Sequence, residues 1–97
     1  MGILTSIEDD ALVIVKGVLK DEHEHLTYTT DKGTVIAACG FVDDDFGATY
    51  YLYKYNMDGA LMCEYFGKSY AYVANEFVRH VGAKAAIQCV LELRLLV

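Results

Sequence analysis

His23 and His25 flank Glu24. In an extended segment, side chains two positions apart point to the same side, as paired metal ligands do. A third ligand would have to come from Cys39, Cys63, Cys89 or His80, at no spacing that marks a zinc site. An exposed polar strand start accounts for the same residues, so no metal ligand is assigned. A cysteine nucleophile with His80 as its base is the second chemical candidate. Each cysteine sits in an apolar stretch, where burial raises the thiol pKa and makes it inert. No catalytic residue follows from this pattern.

Three short motifs carry less than they promise. Gly67-Lys68-Ser69 has the ending of a phosphate-binding loop, but Met62 stands where that loop needs another glycine. A turn followed by a helix cap explains it. Asp45-Phe46-Gly47 matches a kinase metal-binding tripeptide without the loops that accompany it. Asp43, Asp44 and Asp45 lack the alternating acids, glycine and distal glutamate of a calcium loop and read as a solvated acidic loop. The expectation is a protein that is not an enzyme and takes no cofactor.

The elements that position these residues follow from periodicity. Ser6 or Thr5 caps a helix over residues 7–20, with Glu8, Asp9 and Asp10 at the positive end of its dipole. Gly17 and the β-branched run 13–15 leave a strand over 12–19 as the alternative. Strands are expected at 25–30 and 34–42, with a bulge at Gly40, joined by a turn at Asp31-Lys32-Gly33. An acidic loop then leads into a tyrosine-rich hairpin over 49–66, turning at Asp58-Gly59. Alternation places Tyr51, Tyr53 and Tyr55 on one face and Tyr50, Leu52 and Lys54 on the other. In the return strand, Leu61, Cys63 and Tyr65 oppose Ala60, Met62, Glu64 and Phe66. Ser69 caps a second helix that stops at Gly82. Residues 87–95 alternate apolar and polar like a fifth strand. The fold class is therefore α+β, order α-β-β-β-β-α-β: one domain over 1–97 with a mainly antiparallel sheet and two helices.

With 55% hydrophobic residues, the chain is too apolar to stay disordered. Three cysteines, an odd number within apolar runs, fit buried free thiols in a reducing compartment. No apolar run reaches the ~20 residues a membrane helix needs. The acidic N-terminus lacks a signal peptide's basic region. A cytoplasmic location is the expectation. Net charge is −6 and unevenly spread: residues 1–45 carry −7 and residues 46–97 carry +1. Direct nucleic-acid binding is disfavoured, since it relies on Lys and Arg neutralising phosphates.

Three functions remain. In the first, Asp21, Glu22, Glu24, Asp43, Asp44 and Asp45, with Tyr51 and Tyr53, engage the basic surface of a nucleic-acid-binding protein or ribonucleoprotein complex. Extended chain advances ~3.3 Å per residue, close to the ~3.4 Å between charges along one DNA strand. In size, acidity and the clusters Glu8-Asp9-Asp10 and Asp43-Asp44-Asp45, the chain resembles the small acidic phage-encoded inhibitors of host defence. These include anti-CRISPR proteins that mimic DNA. The resemblance implies a non-catalytic inhibitor in the host cytoplasm. In the second, a homo-oligomeric or adaptor domain joins through a tyrosine face or sheet edge, and the acids confer solubility. In the third, a small ligand-binding or enzymatic domain has a pocket between sheet and helices.

Overall fold

A computed structural model describes residues 6–30, 33–43 and 47–95, with the backbone alone at 33 and 39–43. Helix α1 spans Ile7–Gly17. Ser6 caps it, its hydroxyl accepting from the Asp9 N–H at 3.1 Å. The helix passes through Gly17 and widens into a π-helical segment, Val18–Glu22. Val18 and Leu19, adjacent in sequence, are both fully buried there. His23 then takes a left-handed conformation, φ 53°, which closes the segment and sends the chain into the sheet.

Four strands follow as an antiparallel meander in the order β1-β2-β3-β4. They are β1 (His25–Thr30), β2 (Gly33–Asp43), β3 (Gly47–Asn56) and β4 (Leu61–Gly67). The β2–β3 register shifts between Cys39 and Val42, beside Gly40 as its glycine suggests. The β3–β4 turn is built by Asn56, whose Oδ1 accepts from the N–H groups of Asp58 and Ala60 at 3.0 and 2.9 Å. Gly59, at φ 82°, supplies the left-handed residue this turn needs. Helix α2 (Tyr70–Val81) is capped by Ser69 and stops at Gly82, φ 97°.

Two expectations are corrected. Residues 87–95 form no fifth strand; they belong to helix α3, Ala83–Leu95. Ala86, Cys89 and Val90 are buried, with Leu93 packed against them. That is helical spacing, which coincides with strand alternation at 89 and 93. Ala, Leu, Lys, Gln and Glu dominate the segment and favour helix. The described fold thus has four strands and three α-helices. The second correction concerns Leu61. Tyr55 pairs with Leu61 and Lys54 with Cys63, which leaves Met62 as an extra residue in β4. This bulge moves Leu61 to the side of Glu64 and Phe66, away from Cys63 and Tyr65.

The helices lie on one face of the sheet. Phe77, Val73, Val15, Leu19 and Val90 pack there against Leu26, Val35, Ala37, Tyr50 and Leu52. At one edge α3 runs beside β1, and the Cys89 thiol donates to the Thr27 carbonyl at 3.6 Å. β4 forms the other edge, with Leu61, Met62 and Phe66 exposed. No described helix is long and apolar enough to cross a membrane.

Candidate binding surface

The second sheet face carries no helix, because all three described helices pack on the first. On it Tyr51, Tyr53 and Tyr55 form a row, with ring centroids 5.3 and 6.4 Å apart. Across the strands Tyr51 sits between Ala38 and Phe66, and Tyr53 between Ile36 and Glu64. Tyr55 sits between Thr34 and Leu61. Outermost on β1, His25 lies level with Ala38, Thr27 with Ile36, and Thr29 with Thr34. One half of the surface carries the half-buried β3 tyrosines with Phe66 and the other carries Ile36 and threonines, while Ala38, level with Tyr51, is fully covered. Phe66 is 60% exposed. Tyrosines in this state offer apolar area with a polar tip, a combination enriched at interfaces. Of the tyrosines singled out in the sequence, Tyr51 and Tyr53 both lie here. Tyr55, Phe66 and Ile36 complete the surface. Alternation alone indicates Tyr55, but placing Phe66 and Ile36 beside it requires the strand register.

The acids are only partly gathered. Asp21, Glu22 and Glu24 are exposed where the π-helical segment meets β1. The register sets His25 opposite Ala38, so β2 runs on past the start of β1 toward Asp43, which pairs with Gly47. Asp43 and the 21–24 group therefore lie toward the same end of the sheet. Asp44 and Asp45 fall outside the described residues. Cations lie near that end. Arg94 bonds Glu22 at 2.7 Å, and Lys68 bonds the Thr49 hydroxyl at 3.2 Å. The Lys20 ammonium sits 5.4 Å from the Tyr70 ring centroid. Glu8, Asp9 and Asp10 are at the opposite end of α1, and Lys16 and the 71%-exposed Val13 intervene. The described acids of the first 43 residues thus fall into two separate groups rather than one continuous negative surface.

The remaining chemical candidates are tied up in local contacts. His80 Nδ1 lies 3.4 Å from Lys54 Nζ. Glu76 holds Arg79 through two bonds of 3.1 and 2.6 Å. Burial first, then Lys54 and Arg79, keep His80 below its ordinary pKa, with Glu76 acting in the other direction. The hydrogen bond from Arg79 lowers the Glu76 carboxyl. A cleft of about 520 Å³ opens between α3 and β1, lined by Tyr28, Val81, Lys84, Gln88, Cys89 and Glu92 among others. It includes Cys89, whose thiol burial pushes up in pKa, but not His80. His25 Nε2 bonds the Thr27 hydroxyl at 2.7 Å. Among the described residues no three of His, Cys, Asp and Glu converge on a metal position.

No family model, curated protein or solved structure matches the chain. Its functional reading rests on these surfaces.

Proposed function

We propose that the chain is a non-catalytic binding domain whose contact surface is the helix-free face of the sheet. The observation that carries this reading is the row Tyr51, Tyr53 and Tyr55, flanked by Ile36 and Phe66, on a face that no described helix covers. An uncovered aromatic sheet face gains by burial against another surface, since aromatic anchors supply much of the energy of protein interfaces. The test is site-specific photocrosslinking. A benzophenone side chain at position 53 should give strong adducts, and one at Leu91 on α3 few. Equal yields from both positions would contradict the assignment.

A second reading is favoured by the shared location of Asp21, Glu22, Glu24 and Asp43 toward one end of the sheet. In it the chain acts as an acidic inhibitor that occupies the basic surface of a nucleic-acid-handling partner, in the manner of a DNA mimic. Binding would then weaken steeply with salt. Reversing Asp43, Asp44 and Asp45 to Lys should abolish it while leaving contact through the tyrosine face intact.

A further inference from the structure

We infer that β4 accepts an extended acidic segment of another protein as an added antiparallel strand, with an apolar side chain of the segment on Tyr65 and Tyr72 and an acidic one beside Lys54 and Arg79. This contact lies on the outer edge and helix side of β4 and goes beyond the helix-free face. β4 ends the sheet, and among the described residues no strand pairs with its outer edge. An edge of this kind offers unpaired N–H and C=O groups to an incoming strand. The extra residue at Met62 interrupts the ladder, so regular addition is confined to residues 63–67.

Side chains along this stretch name the occupant. α2 packs over β2 and β3, and its flank overlooks the helix side of β4. Cys63 and Tyr65, both half-buried, are the β4 side chains on that side. The Tyr65 ring packs 4.6 Å from Tyr72, itself 47% exposed, and the two rings form an apolar step for one side chain of the incoming strand. Two residues away, Lys54 lies level with Cys63 and reaches His80 Nδ1 at 3.4 Å. Glu76 raises the pKa of Arg79 most, by hydrogen bond and charge, with Tyr72 and Cys63 adding to the rise, so the guanidinium acts across to both.

Lys54 and Arg79 thus bring two positive charges to the level of Cys63. One carboxylate, Glu76, faces them, held by Arg79 through its two bonds. Glu64, the acid of β4 itself, stands on the opposite face of the sheet. In a chain of net charge −6 this is a cationic corner, and an acidic side chain of the incoming strand complements it. Strand residues two apart share a face, so the apolar and acidic residues of the segment must be two apart. Antiparallel pairing, the more stable geometry per residue, puts the apolar one first and the Asp or Glu second. A contact this short makes a weak, transient complex.

Titration of the full chain with acetyl-Thr-Thr-Phe-Thr-Glu-Thr-amide, up to millimolar peptide, with amide shifts and hydrogen exchange recorded, tests the inference. The expected result is shifts at 63–67, Tyr72 and Arg79, with exchange slowed at alternate amides of 63–67. Lys in place of the peptide's Glu should weaken binding about tenfold or more. Arg79→Glu should invert the preference, so that the Lys peptide binds better than the Glu peptide. The Arg79 side chain is 64% exposed, so this change leaves the core intact, and a merely structural effect would not invert a preference. No shifts at millimolar peptide, equal binding of the two peptides, an unchanged preference in Arg79→Glu, or shifts confined to 51–55 would each overturn the inference. Photocrosslinking from position 53 reads the other side of the sheet, so failure of the peptide to bind β4 leaves the helix-free face standing.

Discussion

Arg94 and Glu22, separated by 72 positions in the chain, meet in an ion pair of 2.7 Å that ties the end of α3 to the π-helical segment. Both side chains are about half exposed, 55% and 42%. An exposed pair of this kind contributes about 0–1 kcal/mol. Arg94→Ala should accordingly shift the urea midpoint little. Its larger effect should be on charge: with Glu22 unpaired, the 21–24 group becomes more negative. Faster binding of a polycationic probe by the variant at low salt, reverting at high salt, is the expected result.

Phe77 is the largest fully buried side chain, set between α2 and the sheet. Phe77→Ala removes its contacts and leaves a cavity, at a typical cost of about 3–5 kcal/mol. That is a large part of the stability of a small domain, so thermal unfolding should fall sharply or the variant should be unfolded. A change under about 1 kcal/mol would mean the core is organised differently.

Gly67 makes a tight contact with its own strand. A Cβ added there would lie 2.6 Å from the Tyr65 hydroxyl oxygen. That oxygen is pinned by the Ser69 N–H at 3.1 Å, and its ring packs 4.6 Å from Tyr72. Gly67→Ala must displace Tyr65 and loosen the start of α2. A loss of about 1–3 kcal/mol is expected, the range of overpacked sites. Gly67→Ala combined with Tyr65→Phe, which lacks the hydroxyl, should lose less than the sum of the two single changes.

His80 gives stability a pH dependence. Its folded pKa lies below 6.5, so the unfolded chain binds a proton more readily. The contribution is fully present above about 6.5 and is lost as pH falls through the folded value. Glu76, lowered from 4.5, acts in a separate and more acidic window: its contribution is present above 4.5 and lost as pH falls below it. His80→Asn should flatten the upper part of the curve of denaturation midpoint against pH and leave the lower part. An unchanged upper slope would place the titration on another group.

Much of the fold was legible because local chemistry and burial agreed. Ser6 and Ser69 cap the helices their positions suggest. The four strands of the hairpin region lie within a residue or two of their alternating patterns. The stretch 87–95 misled because its apolar residues fall at every second position, yet only some of them, Cys89 and Leu93, lie on the buried helical stripe with Ala86 and Val90, while Leu91 and Leu95 are exposed. The tyrosine row was readable from period 2. Its companions Phe66 and Ile36 depend on register across strands, and Leu61 on a one-residue bulge that no residue type announces. The charge split between the two halves of the sequence was real but misleading as geometry, since folding brings Arg94 onto Glu22.

The placement of α3 beside β1 also governs where the sheet can be extended. With the Cys89 thiol on the Thr27 carbonyl, the protein's own last helix stands against the middle of β1 and hinders an incoming strand there. Exposed Leu61, Met62 and Phe66 leave β4 as the more open margin, where a foreign strand would add.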